Sequence, residues 1–481
     1  MHKVDGLHYK PSDGYFGDPI PFYDNGMYHI FFDKLRKDGK VCWGHIQSRE
    51  LSLWEELPDA IEPGRYGEID EAQCLTGSVV QHDGVFHAYY TGVAKTGRVN
   101  ICHAISYDLI TWHKDLLPAI PKDTKHYMDD ETWRDPCVIS NYKEENYWMV
   151  FCSRSPDKDA RCFSGALGLA KSVDLKDWTI YPPVWSPHIS SVVECPDMFK
   201  IGDKWILLYF WHETRCMFAN QPEGPWAKHG VQAPDSFDFF AGKTMANGDK
   251  RILIGWIPRK SCDCGERIWG GSMALPRELY LLPDGSPATK CVPEVCEQLI
   301  SHSKRCIETE FFSAITGEWV IEKNRMVGNA VYTGALAFWS DAPADYFMSF
   351  SIRLSYGSDV SFLIRTNRSE SFTDISSKAI DEGYQLIFDA LEKTIKLREL
   401  YVWDQRPDIA YIHYDFSGEE YTNCKLFLHG DILELFAGEK RSLVSRLLKH
   451  PNGGLGIHVG CGCAELAGLS IVSLSGREET I

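Results

Sequence analysis

The chain has 481 residues, 44% hydrophobic and 24% charged, which suits a globular protein of two or three domains. Its formal net charge of −17 argues against nucleic acid or an anionic membrane as the main partner. No apolar run is long enough for a membrane span, and the opening MHKVDGLHYKPSDGY has neither the apolar core nor the cleavage site of a leader peptide.

In chain order, one pattern recurs five times in the first half: a polar turn followed by a short aromatic or β-branched strand. The copies run over 25–32, 83–90, 145–151, 202–209 and 247–256. A second phrase, Ser-x-x-Leu-x-x-Trp, interleaves with the first three copies at Ser48–Trp54, Ser106–Trp112 and Ser172–Trp178 and reads as a polar turn closed by a buried Trp. A strand-rich repeat of this kind predicts a five-bladed β-propeller over residues 1–285. Residues 286–307 read as a linker. From 308 to 481 strands continue without the blade phrase, at 346–354, 360–365, 383–388, 424–428 and 432–436. Their period-two alternation predicts an antiparallel β-sandwich. The fold class is therefore all-β.

The 16 cysteines, mostly in apolar runs, read as reduced thiols of a cytoplasmic protein. Cys262 and Cys264 are too close and too isolated to predict a zinc site.

Acidic residues sit at matching points of the repeat. Asp18 precedes the first strand, Asp135 the third and Glu194 the fourth, each near a proline. Equivalent innermost-strand positions of a propeller converge on its axis, so the three carboxylates are expected to meet there. Glu194, just before the apolar strand Lys204–Phe210, is expected to be partly desolvated and held protonated, as a general acid requires. One ionised and one protonated carboxyl is the requirement for cleaving a glycosidic bond. Arg134 is placed to hold Asp135 ionised or to bind substrate. Trp43, Trp133 and Trp269 offer flat faces to a sugar.

These residues resemble glycoside hydrolase family 32, the β-fructofuranosidases that include invertases, inulinases and levanases. The segment from His8 to Pro21 is similar to the family's opening box, with Asp18 at the nucleophile. Trp43-Gly44-His45 and Thr76-Gly77-Ser78 resemble two sugar-site segments. Arg134-Asp135-Pro136 matches the transition-state stabiliser box, and Glu194-Cys195-Pro196 the acid/base box. The stretch Trp269–Leu279 resembles the propeller's closing segment, and Glu434–Gly438 a strand of the C-terminal sandwich. The departures lie around the sugar: Gly17 and Ile20 replace two Asn, Asp33 replaces a Gln, Leu75 replaces an aromatic, and Phe240-Ala241-Gly242-Lys243 stands for Tyr-Ala-Pro-Gln.

The resemblance implies a retaining glycoside hydrolase releasing fructose from a small β-fructoside by double displacement. Asp18 would be nucleophile, Glu194 acid/base and Asp135 transition-state stabiliser. Gly17, Asp33, Trp43, Leu75, Thr76, Ser78, Arg134, Cys195, Phe240 and Trp269 would bind substrate. An inverting family 43 arabinosidase or xylosidase and a non-catalytic sugar-binding propeller are the alternatives. A small carbohydrate is the expected partner, with no metal, cofactor, nucleic acid or membrane; a homo-oligomer is left open.

Overall fold

The computed structural model of the chain describes residues 3–5, 7–141, 146–156, 163–262, 265–301, 306–307, 309–330, 334–366, 382–401, 407–416, 418 and 420–474. Cys264, Glu145 and Glu308, which figure in the readings above, lie outside them.

Five blades surround one axis. The first is Gly14–Asp24, Met27–Arg36, Val41–Ser48 and Leu53–Ile61, and the second is Gln73–His82, Val85–Val93, Val99–Ser106 and Trp112–Lys114. The third is Arg134–Asn141, Asn146–Arg154, Gly165–Ser172 and Thr179–Trp185, and the fourth is Glu194–Ile201, Lys204–Trp211 and Glu213–Ala219. The repeat recognised in the sequence is the second strand of each blade. In the fifth blade Phe240–Asn247 pairs with Lys250–Lys260, which pairs in turn with both Arg267–Met273 and Arg277–Leu281. A bridge from Gly271 to Phe16 joins the last blade to the first.

The expected linker is partly built structure. Pro287–Cys291 pairs with Arg277–Leu281 as the outermost strand of the fifth blade, and a helix, Pro293–Ser301, follows it. Helix positions Val295 and Cys296 are buried in the core shared with the sandwich, which is what fixes this segment.

The Ser-x-x-Leu-x-x-Trp phrase has a local cause. In all three copies the Ser hydroxyl accepts backbone N–H groups of the turn, and Leu51, Leu109 and Leu175 sit at φ 63°, 63° and 62° with buried side chains. The Ser cap and the apolar pocket hold the Leu in this strained left-handed region. Trp54 is buried, whereas Trp112 and Trp178 are only partly so.

The C-terminal strands form a sandwich. One long strand, Gly454–Ser473, pairs with Asp359–Thr366 through its first half and with Tyr346–Leu354 through its second, so it crosses from one sheet to the other. The sandwich is clamped to the propeller by buried charge. Arg277, from the closing segment, contacts Asp235 at 2.6 Å and Glu434 at 2.5 Å, and Glu434 also accepts from His8 and from the Leu275 backbone.

Candidate active site

Every innermost strand carries the same irregularity. The register shifts by one residue between Phe16 and Pro19, Leu75 and Gly77, Arg134 and Cys137, Glu194 and Asp197, and Phe240 and Lys243. Counted back from the hairpin ends Asp24, His82, Asn141, Ile201 and Asn247, the same position falls on Asp18, Thr76, Asp135, Cys195 and Ala241. A one-residue bulge re-aims a side chain, and here five of them form a ring about the axis. Asp135, Cys195 and Ala241 take φ of 54°, 49° and 46°, which costs on the order of 1–3 kcal/mol each and persists only where the surroundings enforce it.

The three acids are thus near one bulge but not in one register. Asp18 and Asp135 are true equivalents, whereas Glu194 stands one residue upstream of its counterpart, Cys195. Side chains alternate along a strand, so Glu194 projects to the rim with 36% of its side chain exposed while Asp135 is buried.

Contacts link the three. Trp256 Nε1 donates to Asp18 Oδ1 at 2.8 Å, and the Cys195 thiol lies 3.5 Å from Asp18 Oδ2 and 3.9 Å from Asp135 Oδ2. The Cys195 backbone N–H donates to the same Asp135 oxygen at 3.1 Å. Arg134 reaches Glu194 Oε1 at 2.5 Å and lies 3.7 Å from Asp135. The Thr91 hydroxyl accepts the Asp135 N–H and donates to the Thr76 carbonyl, tying blade two to blade three.

Burial and the nearby Asp135 push the Asp18 carboxyl up to about 6, against the Trp256 hydrogen bond. Burial and Asp135 also raise Glu194, while Arg134 pulls it down. Asp33 is raised further, by burial first and then by Asp18 and Asp135.

The remaining residues expected at the sugar divide. Trp269 is 38% exposed and its ring fills the space a side chain at Gly17 would take; a Cβ there would come within 2.8 Å of the indole. Phe240 packs at a tilt against Phe210 and against Trp256, the ring that bonds Asp18. Thr76 belongs to the ring. Cys195 contacts Asp18 and Asp135. Trp43 and Trp133, by contrast, are core residues: Trp43 Nε1 is spent on the Leu75 carbonyl, and Trp133 packs on Tyr127 and Phe151. Leu75 contributes that carbonyl. Ser78 lies beyond the bulge and lines a separate cavity of about 270 Å³ with Asp197, Lys243 and Arg251. Asp33 is inside, 1% exposed, and takes a hydrogen bond from the Thr76 backbone.

Sequence reasoning missed Trp256 and Thr91. Both lie on second strands, and their sequence signal was only that of a core aromatic and a strand-former. Register places them: Trp256 pairs with Phe240 and Thr91 with Leu75, each just before a bulge.

Comparison with known proteins follows the same outline. The sequence model of the Glycosyl hydrolases family 32 N-terminal domain matches residues 8–290. Sucrose-6-phosphate hydrolase of Zymomonas mobilis is 28% identical over 317 residues, covering 58% of this chain and 60% of that protein. Sucrose-6-phosphate hydrolase of Escherichia coli is also 28% identical, over 57% of this chain and 61% of that one. The chain therefore matches only about 60% of the length of these curated relatives. Among solved structures, sucrose-6-phosphate hydrolase from Lactobacillus gasseri superposes with TM-score 0.72 at 17% identity, over 98% of this chain and 92% of that one. Fructan 1-exohydrolase IIa from Cichorium intybus gives TM-score 0.70 at 17% identity, over 98% of both chains. These two likenesses are likenesses of fold.

Proposed function

This chain belongs to glycoside hydrolase family 32, and from that premise we propose that it is a retaining O-glycosidase of β-fructofuranosidase type. It releases fructose from a small β-fructoside by double displacement. Asp18 attacks the anomeric carbon while Glu194 protonates the leaving oxygen; Glu194 then activates water to cleave the fructosyl-enzyme. Asp135, fixed by the Cys195 N–H, binds sugar hydroxyls and tightens its hold at the transition state. Gly17, Phe240 and Trp269 shape the sugar's surroundings.

One observation carries the reading: a continuous chain of contacts from Trp256 through Asp18, Cys195 and Asp135 to Arg134 and Glu194. It supports a division of roles of the kind double displacement needs, with two buried carboxyls side by side and a third at the rim. The position of Glu194 suits an acid that must reach the oxygen between two sugars. Membership in family 32 sets aside the family 43 alternative.

Catalysis is assigned to the propeller, 1–285, and a supporting role to the sandwich, 308–481. Curated relatives named for sucrose 6-phosphate suggest phosphorylated and plain sucrose as first candidates. Among the described residues no helix is long and apolar enough to cross a membrane. The cysteines described as free thiols support a cytoplasmic location.

The test is turnover of a panel of sucrose, sucrose 6-phosphate, inulo- and levan-oligosaccharides and difructose anhydrides, with the first-formed anomer followed by NMR. Release of β-fructofuranose, unaffected by EDTA, is the expected result. The α-anomer would overturn the retaining mechanism, and binding without turnover across the panel would favour a sugar-binding role.

A further inference from the structure

Four carboxyl groups crowd the axis, and two cations approach them. Arg134 serves the rim, on Glu194 and Asp135. The second is Lys243, on the innermost strand of blade five and 4% exposed. It reaches across the channel to blade two, where Nζ donates to the Gly77 carbonyl at 2.7 Å and to Thr76 Oγ1 at 3.2 Å. Thr76 is the counterpart of Asp18 in the ring, and its backbone also serves Asp33. The ammonium therefore lies at the level of the ring, and both oxygens it bonds are neutral. A buried ammonium with neutral acceptors is costly unless nearby negative charge stabilises it.

We infer that Lys243 is a positioning residue for the reaction, supplying from inside the channel the positive charge that keeps the nucleophile Asp18 ionised. The inference rests on the assignment of Asp18 as nucleophile. The groups facing Asp18 are Asp33 from its own blade, Asp135 from blade three, Glu194 and Cys195 from blade four, and Lys243 from blade five. Beyond the bulge Lys243 also shares a cavity with Asp197 and Arg251, where Asp197 takes hydrogen bonds from the Thr244 N–H and hydroxyl. Asp33 and the Cys195 thiol are both held well above their ordinary values by burial first, then by the neighbouring acids, so neither consumes the lysine's charge. Against burial, Asp135 and Glu194, which push Asp18 up, stand the Trp256 hydrogen bond and Lys243.

The sign follows. Attack needs the ionised form, so kcat/KM rises as pH rises through the Asp18 pKa. Removing the positive charge raises that pKa and moves the acid limb to higher pH.

The experiment compares kcat/KM against pH for wild type, Lys243→Met and Lys243→Arg on a fructoside that wild type hydrolyses. Each curve is normalised to its own plateau, so a loss of folded enzyme lowers a curve without moving its limb. The Met variant is expected to shift the limb upward by about one pH unit, and the Arg variant to stay near wild type. Coincident limbs for Met and wild type would overturn the inference. Where Lys243→Met has no measurable turnover, carboxyl carbon-13 NMR with Asp18→Asn as the reference reads the Asp18 titration directly. A midpoint unchanged from wild type would overturn the inference equally. An Asp18→Ala variant that retains activity would instead remove the assignment of Asp18 itself, and the inference with it.

Discussion

The molecule buries carboxylates in two places and treats them oppositely. At the junction of propeller and sandwich each has a cation: Arg277 answers Asp235 and Glu434, and Lys260 with Arg267 answers Asp238. Hydroxyls of Ser442 and Ser445 accompany them. Burial pushes both Arg277 partners up: Arg277 and His8 bring Glu434 below its ordinary value, whereas Asp235 stays raised against Arg277 and the Ser442 hydroxyl. At the axis Asp18, Asp135 and Glu194 share Arg134 and Lys243, with Asp33 raised furthest beside them, and Asp18 and Glu194 are raised. The first arrangement is a clamp in which each negative charge is matched. The second leaves more carboxyls than cations at the axis, which costs stability and, under the proposed function, leaves charge to act on a substrate.

That contrast predicts opposite outcomes for removing one charge. Asp18→Asn should abolish turnover, lowering kcat by about four orders of magnitude or more, because no nucleophile remains. Its melting temperature should stay level or rise, since a repulsive charge is gone. Arg277→Met should do the reverse. It strands Asp235 and Glu434, and breaking a buried pair costs about 3–5 kcal/mol. Urea unfolding should register that loss while the folded fraction keeps its kcat. A stable Arg277→Met protein, or a destabilised Asp18→Asn protein, would erase the distinction.

Much of this contrast was legible in the sequence. The turn-strand phrase and the Ser-x-x-Leu-x-x-Trp phrase marked the blades because turn chemistry and strand propensity are written in neighbouring residues. The acids near Pro19, Pro136 and Pro196 pointed to the axis for the same reason. What sequence spacing concealed was the bulge. A single extra residue per strand puts Asp18 and Asp135 in register and Glu194 out of it. The roles of Trp256 and Thr91 depend on neighbouring strands and blades, which no local pattern records. The sandwich's crossing strand was missed because Gly460-Cys461-Gly462-Cys463 interrupts its alternation.

The rim position of Glu194 sharpens the comparison within the site. Glu194→Gln should lower kcat by at least about 100-fold on sucrose-like substrates, where the leaving oxygen must be protonated. On an activated aryl fructoside the first step should survive, seen as a burst of released phenol. Equal loss on both substrates would take the acid role away from Glu194.

The smallest expected effect belongs to Asp33. The resemblance put Asp33 among the substrate-binding residues, and Lys34 beside it in the sequence is the nearest cation it could pair with. Lys34 is instead bound to Asp13 and Asp59, and Asp33 turns inward beneath the ring. The rise of Glu194 comes from burial and Asp135. Asp33 Oδ1 has no partner, and a carboxyl so buried beside Asp18 and Asp135 neutralises itself rather than carry charge. A protonated carboxyl both donates and accepts, as the amide it replaces in the family would. Asp33→Asn therefore exchanges one neutral group for another of the same shape and keeps an oxygen for the Thr76 N–H. It should leave kcat/KM within about threefold of wild type and the acid limb in place, whereas Asp33→Leu should cost about 1–3 kcal/mol by leaving that N–H unpaired. If Asp33 were ionised, Asp33→Asn would remove a negative charge from beside Asp18, lower its pKa and carry the acid limb to lower pH. A pH–rate profile of Asp33→Asn separates the two, because only an ionised Asp33 can move the limb.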